Sequence, residues 1–357
     1  MTEAVLLVGG RGTRMRPLTI DLPKPMLPTA GVPFLAHMLS RARDAGIDHV
    51  VLATSYRAEV FEEHFGDGRA LDLTIDYVQE TVPLGTGGAI RNVAEQLAAG
   101  ADDPVVILNG DILSGHDIAG QVSAHLAAAA EVTLHLTEVE DARRFGCVPT
   151  DAHGRVTDFL EKSPQPVTNR INAGCYVFRR GVIDAIPADR VVSVEREVFP
   201  ELVRSGGMVL GHLEAAYWLD VGMPADYVRG SADLVLARLV SAAVPPVVGD
   251  SLILPGATVA TEAGVSGGTT VGSGCVVAPG ARVEGSVLLD GARIEAGAVV
   301  RASAVGHNAV VGPNTLLDGV VVGHRAEIGA DNELLAGARV WSDVRIPAGA
   351  VRFSSDE

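Results

Sequence analysis

The sequence predicts an α/β protein in two parts: a Rossmann-like layer of alternating strands and helices, followed by a parallel β-helix. Residues 1–228 alternate short apolar runs with helical periods, and residues 247–351 repeat an aliphatic side chain every six positions. Between them residues 226–243 read as a connecting helix, with 229–246 as the linker between the two parts, stopped by Pro245-Pro246.

Each element follows from its local pattern. Residues 4–8 are a continuous apolar run, as a parallel strand buried on both faces should be. A glycine-rich turn follows, then a helix over 33–45 and a strand over 49–54. A short helix over 59–65 and a strand over 73–78 come next. The pattern continues with a helix at 88–98, a strand at 105–108, a helix at 118–130 and a strand at 132–136. Repeated βα units imply a mostly parallel sheet with helices on both faces, and ligands bind beyond the carboxyl ends of such strands.

In the second part Ile253, Val259, Val265, Val271, Val277 and Val283 stand six apart. The phase slips by one, and Leu288, Ile294 and Val300 continue. After a second slip come Val310, Leu316, Val322, Ile328, Leu334, Val340 and Ile346. A helix would show a period of 3.6 and a flat strand a period of two. A hexad places one short strand on each face of a triangular coil, the aliphatic residue pointing inward, with the slips expected as loops leaving the coil. Residues 352–357 read as a polar tail.

Composition narrows the function. With 44 acidic against 28 basic residues, the formal charge is −16. Such a surface repels nucleic acid and anionic membranes, so any phosphate binding must be local. No apolar run reaches the ~20 residues of a membrane span, and the first residues lack a secretory-signal pattern. Cys147, Cys175 and Cys275 form no CxxC pair and read as reduced thiols of a cytoplasmic protein. Among the basic residues only Lys24 and Lys162 are lysines.

The sharpest motif is Gly9-Gly10-Arg11-Gly12-Thr13-Arg14, continuing through Pro17-Leu18-Thr19 to Pro23-Lys24-Pro25-Met26. Glycines let backbone N–H groups approach phosphate oxygens, and Arg14 and Lys24 add positive charge. The motif is neither a dinucleotide G-x-G-x-x-G with an acidic residue after the second strand nor a P-loop with G-K-[ST]. No HExxH or G-x-S-x-G pattern supports zinc or serine hydrolysis. Leu108-Asn109-Gly110-Asp111 ends a strand. Its aspartate offers hard oxygens to Mg²⁺, although an isolated Asn-Gly-Asp is ordinarily a turn. Phe159-Leu160-Glu161-Lys162-Ser163 holds the second lysine. A solvated Glu-Lys pair is the usual alternative, but both lysines of an arginine-using chain fall in candidate phosphate motifs, where a compact mobile charge is useful.

Residues 9–26 resemble the signature of the nucleotide-sugar pyrophosphorylases, and the whole chain fits that family, most nearly its bacterial mannose-1-phosphate guanylyltransferase group. The resemblance implies a glycosyltransferase-A-type nucleotidyltransferase domain over 1–228 and a left-handed hexapeptide β-helix over 247–351. It implies that Leu7, Gly9, Gly10, Gly12, Thr13, Gly85, Thr86 and Asn109 hold the nucleotide. Arg14 and Lys24 hold the triphosphate, Lys162 steers the sugar phosphate, and Asp111 and Asp220 converge on Mg²⁺. Asp220 lies in Trp218-Leu219-Asp220-Val221-Gly222, which resembles the family's W-x-D-x-G. Residues 159–163 resemble its F-[VL]-E-K-P, with Ser163 in place of proline. Gly146, Glu161, Asn172 and Trp218 are implied to meet the sugar. Glu80, preceding Pro83-Leu84-Gly85-Thr86-Gly87-Gly88, stands at or next to the position that reads the base. A carboxylate only accepts hydrogen bonds, and guanine alone of the purines pairs N1–H with a 2-amino group, so Glu80 favours guanine; Gln79 competes for the role. The expected substrates are therefore GTP and mannose 1-phosphate. A glucose-1-phosphate enzyme using ATP, UTP or dTTP and a non-catalytic regulatory subunit are the alternatives. His307 and His324 keep open an acyl-transfer activity in the hexad region, with a turn or surface role the commoner fate. Association into a homo-oligomer through the β-helix is expected by analogy.

Overall fold

The computed structural model describes residues 2–10, 12–55 and 57–352. Arg11 and residues 353–357 of the expected tail lie outside the described residues. The chain forms two compact units, and these do not follow chain order. One comprises Met1–Gly10 with Met38–Trp218; the other comprises Arg11–His37 with Leu219–Glu357.

The elements of the first unit begin with β1 (Glu3–Leu7), α1 (Phe34–Asp44, which starts in the other unit), β2 (His49–Thr54), α2 (Glu59–Phe65) and β3 (Thr74–Gln79). Next come α3 (Gly85–Asn92), β4 (Pro104–Asn109), α4 (Ile118–Ala127) and β5 (Val132–Glu138). Two short strands, β6 (Gly146–Cys147) and β7 (Leu160–Glu161), precede β8 (Arg170–Arg179), α5 (Arg180–Ala185), α6 (Phe199–Arg204) and β9 (Val209–Leu213). The nine strands form one sheet in the order β7-β6-β8-β4-β1-β2-β3, with β5 pairing β8 and β9. Strands β4, β1, β2 and β3 are parallel, while β8 runs antiparallel to β4. The apolar run in β1 forms a strand because Ala4, Val5 and Leu6 are fully buried between helix-covered faces. The register pairs Leu7 with both Ala53 and Asn109, and Thr54 with Gln79. All four parallel strands therefore end at one rim.

Two helices differ from expectation. Helix α3 starts at Gly85, three residues early, because Gly85 takes φ 72° and the Gly87 N–H bonds the Val192 carbonyl at 2.8 Å. It ends at Asn92, followed by the separate turn Ala94–Gln96. Helix α4 ends at Ala127 rather than 130, where the chain turns at Ala129 with φ 45°.

Strand β10 (Trp218–Asp220), whose first residue still belongs to the first unit, leads to helix α7 (Pro224–Val235) of the second. That helix is shorter than the 226–243 span expected. Pro224 opens it, the Asp226 carboxylate accepts the Met223 N–H at 3.1 Å, and Ala237 turns away at φ 54°. The hexad region then builds three all-parallel sheets of six, six and five short strands, the arrangement of the expected left-handed β-helix. Its interior is a column of Val271, Val277, Val283, Leu288, Ile294, Val300, Val305, Val311, Leu317, Val322 and Ile328.

The register corrects two expectations. Val311 and Leu317 point inward, not Val310 and Leu316. The slips are not loops leaving the coil. Val271 pairs with Leu288, Leu288 with Val305 and Val305 with Val322, each 17 residues on, whereas Ile253–Val271 and Val322–Val340 span 18. Three slips therefore fall at one edge of the triangle and shorten a turn by one residue. Corners are made by residues at positive φ, among them Gly291, Asn308 and Arg325 in successive turns. A Cβ on Gly291 would come 2.2 Å from Asn308 Oδ1, so a larger residue at this φ of 72° would have to displace that side chain. Ile253 is 44% exposed because it lies in the first turn, with no earlier turn to cover it. Among the described residues, no helix is long and apolar enough to cross a membrane.

Candidate active site

The rim of the first unit is built by turns that leave the parallel strands. After β1, Gly9 passes so close to Ser55 that a Cβ would sit 3.0 Å from its Oγ. Leu7 is half-buried at the strand's end, and Gly9 and Gly10 are exposed. After β4, the Gly110 N–H bonds the Leu7 carbonyl at 3.0 Å. A Cβ there would come 2.4 Å from the same oxygen, so the turn requires glycine. It delivers the half-buried Asp111 to the rim.

After β3, the Glu80 N–H bonds the Thr54 carbonyl at 2.8 Å. Its Oε1 is buried and has no hydrogen-bond partner. Burial raises the Glu80 pKa above the ordinary carboxylate value, opposed by a hydrogen bond from the Leu84 backbone. Gln79 is exposed, and its amide is already turned to the Ser55 carbonyl at 3.3 Å. Of the two candidates, Glu80 thus holds the spare buried acceptor. Gly85 approaches Val192 so closely that a Cβ would meet its carbonyl oxygen at 2.6 Å. The Thr86 hydroxyl donates to Glu195 at 2.8 Å and accepts the Val194 N–H at 3.0 Å, which fixes the start of α3.

The residues expected at the sugar gather where the antiparallel strands meet this rim. Glu161 pairs with Gly146, and Cys147 with Ile171. A Cβ on Gly146 would come 3.0 Å from Glu161 Oε2, so the glycine makes room for that carboxylate. Lys162 is exposed at φ 50°, its N–H bonded to the Phe145 carbonyl, and its Nζ lies 3.6 Å from Glu161 Oε1. Asn172 Oδ1 accepts the Gly174 N–H at 3.1 Å. The Trp218 indole N–H donates to the Ala173 carbonyl at 2.9 Å, and Phe145 packs edge-on against it.

Tyr176, which the sequence did not single out, joins two of these groups. Its fully buried hydroxyl accepts from Asn172 Nδ2 at 2.9 Å and from Asn109 Nδ2 at 3.4 Å. It therefore orients an expected nucleotide residue and an expected sugar residue together, leaving the buried Asn109 Oδ1 without a partner. A second group that the sequence did not reveal is the stacked pair His116 and His135, with ring centroids 3.8 Å apart. Arg41 bonds the His116 carbonyl at 2.8 Å. These pairings join positions far apart in the chain, so no local spacing announces them.

The remaining expected residues belong to the second unit. Gly12 takes φ 54°, its carbonyl accepts the Thr19 hydroxyl at 2.7 Å, and a Cβ there would lie 3.1 Å from that of Lys24. Thr13 and Arg14 are exposed on the short helix Thr13–Met15, and Lys24 opens the helix Lys24–Met26. Asp220 ends β10. A Cβ on Gly222 would lie 3.3 Å from both Asp220 Oδ1 and Arg14 Nη1, so carboxylate and guanidinium flank the same glycine.

The fold that carries this rim is shared with known proteins. Residues 3–235 match the family described as Nucleotidyl transferase, and residues 247–348 match the GMPPB C-terminal domain. The chain belongs to the nucleotidyl transferase family and is an enzyme of that transferase class; the family in general uses a divalent metal. It is 54% identical to the mannose-1-phosphate guanylyltransferase of Mycobacterium tuberculosis over 355 residues, covering 99% of this chain and 98% of that one. It is 37% identical to the mannose-1-phosphate guanylyltransferase catalytic subunit beta of Drosophila melanogaster over 230 residues, covering 64% and 62%. The solved structure of HddC from Yersinia pseudotuberculosis complexed with GMP-PN aligns with a TM-score of 0.56 at 30% identity, over 65% of this chain and 98% of that one.

Proposed function

We propose that this protein transfers GMP from GTP to mannose 1-phosphate, releasing pyrophosphate and forming GDP-mannose. The observation that carries the base assignment is the buried, unpartnered Oε1 of Glu80. A spare carboxylate oxygen at the rim suits guanine's adjacent N1–H and amino donors, and adenine has no such pair. The sugar assignment is supported by the near-full-length likeness to the mycobacterial enzyme.

The attacking oxygen of mannose 1-phosphate is already anionic near neutral pH, so no general base is needed. It forms a bond to the α-phosphorus while the bond to the bridging oxygen of the β-phosphate breaks, and pyrophosphate leaves with that electron pair. Catalysis is then positioning and charge neutralisation. Backbone N–H groups at Gly9, Gly10, Gly12 and Thr13 cradle the phosphates, with Leu7 and Asn109 beside the nucleoside. Gly85 and Thr86 shape the loop that carries Glu80. Arg14 and Lys24 neutralise the departing pyrophosphate, and Lys162 guides the incoming phosphate. Gly146, Glu161, Asn172 and Trp218 hold the sugar.

Asp111 and Asp220 fit Mg²⁺ by their donor chemistry. They are hard carboxylate oxygens, and the described residues contain no cluster of three or more metal-ligating side chains. Mg²⁺ characteristically takes one or two carboxylates and fills its octahedron with water and substrate phosphates. When bound, it supplies Lewis-acid stabilisation of charge on the reacting phosphates. The three cysteines are buried and free, in keeping with a reducing cytoplasm. The β-helix is proposed to join copies of the chain, which sedimentation of the native protein tests.

The test is pyrophosphate release from every pairing of GTP, ATP, UTP and dTTP with mannose or glucose 1-phosphate. GTP with mannose 1-phosphate is expected to be the fastest pair. Faster turnover of glucose 1-phosphate with another donor would reassign the specificity. No release with any pair would favour a regulatory subunit.

A further inference from the structure

The segment that carries Arg14 is held by side chains more than 300 positions later in the chain. Within the second unit, the short strand Arg339–Val340 of the β-helix presents Arg339, whose Nη1 donates to the carbonyls of Arg14 at 2.8 Å and Arg16 at 2.9 Å. The segment's own turns use the Gly12, Thr13, Met15 and Pro17 carbonyls as acceptors. Arg339 takes two of the carbonyls in between. His324, one turn earlier in the coil, also hydrogen-bonds the Leu18 backbone while its Nδ1 accepts the His307 N–H at 3.0 Å. The carbonyls of residues 14 and 16 and the backbone of 18 are thus tied to the coil.

We propose that Arg339 is a positioning residue for nucleotidyl transfer: by gripping the Arg14 and Arg16 carbonyls it fixes the backbone from which Arg14 reaches the triphosphate. The inference rests on the reading of Arg14 as a triphosphate ligand. A guanidinium donating to two carbonyls restrains both position and orientation of that backbone. Arg339 itself is exposed, so its removal leaves the coil's aliphatic column untouched.

Arg339→Met, Arg339→Lys, Arg14→Ala and Arg345→Met should be compared by steady-state pyrophosphate release and thermal unfolding. Arg345 serves as the control because its contact is a surface bond to Glu327 at 3.0 Å. Arg339→Met is expected to lower kcat about 10–100-fold, the scale of a small misplacement of a catalytic group, with the KM for mannose 1-phosphate and the melting temperature nearly unchanged. Arg339→Lys restores a cation that can donate to both carbonyls and should recover much of that loss. Wild-type kcat in Arg339→Met, with Arg14→Ala impaired, overturns the inference and leaves the role of Arg14 standing. An equal loss in Arg345→Met also overturns it, since any surface change would then suffice. Wild-type kinetics in Arg14→Ala removes the role of Arg14 itself, and the inference with it.

Discussion

The β-helix and the nine-stranded sheet treat buried polar groups in opposite ways. In the coil they are laddered from turn to turn. The Ser286 N–H bonds Thr269 Oγ1, the Ser303 N–H bonds Ser286 Oγ at 3.1 Å, and the Val320 N–H bonds Ser303 Oγ at 2.9 Å. Asn332 donates to Gly329 and Pro347 carbonyls and accepts from the Val351 N–H. At the sheet rim, Glu80 Oε1 and Asn109 Oδ1 are buried and unsatisfied, and Lys162 sits at positive φ. Leaving a buried acceptor unpaired costs about 1–3 kcal/mol, so such groups persist where something other than folding uses them. In the coil the buried Ser342 Oγ lacks a partner, and in the sheet unit both ring nitrogens of His135 do; Glu80 and Asn109 differ from these in standing where the proposed nucleotide would supply the missing donors.

That contrast is broken most severely by separating turnover from stability. Asp111→Asn keeps the side chain's size and removes its charge. It is expected to lower kcat about 10³-fold while the melting temperature stays within about 2 °C of wild type. Comparable loss of stability would make Asp111 a folding residue.

Leu288→Ala should do the reverse. Leu288 is fully buried in the aliphatic column, and its truncation is expected to cost about 2–5 kcal/mol of coil stability in denaturant unfolding. The KM values for both substrates should hold under conditions where the protein remains folded. A large KM change would link the coil's packing to the rim.

A smaller effect concerns the stacked histidines. Burial lowers the pKa of His116 to about 2, helped by His135 and Arg41, and that of His135 to about 3, helped by His212 and Arg41, from 6.5 in both cases. Because the folded values lie below the unfolded one, the unfolded chain binds more protons as the pH falls. The stability is complete above pH 6.5 and is lost as pH drops toward the folded values. At about pH 5 each ring removes about 2 kcal/mol. Neither nitrogen of His135 has a hydrogen-bond partner, so His135→Phe should narrow the stability gap between about pH 7.5 and pH 5 by about 2 kcal/mol. An unchanged gap would show that His135 is not part of the acid response.

The same division governs what the sequence reveals. The βα alternation and the hexad period are repeated local patterns, so β2 and α2 fall at their expected bounds. Three inward residues were missed: Val305 was passed over, and Val311 and Leu317 were hidden by a one-residue deletion per turn, which a Val-Val or Leu-Leu pair conceals. The start of α3 was hidden by glycines whose conformation is set by Val192, more than 100 residues away. The glycines of the turns after β1 and β4 were legible because a close backbone approach demands that residue type in a short run, as at Gly9 and Gly110. The Tyr176 bridge between Asn109 and Asn172, the histidine stack and the Arg339 grip depend on long-range register, for which no local spacing exists.

The claim that the rim's unsatisfied acceptors await the nucleotide is tested most directly at Glu80, by comparing GTP with inosine triphosphate, which lacks only the 2-amino group. Binding of each to the wild type and to Glu80→Gln can be measured by calorimetry. The account predicts that the wild type prefers GTP by about 10–100-fold, and that Glu80→Gln reduces this to a few-fold through weaker GTP binding. Equal affinity of the wild type for both nucleotides, or a preference that survives the substitution intact, would contradict it.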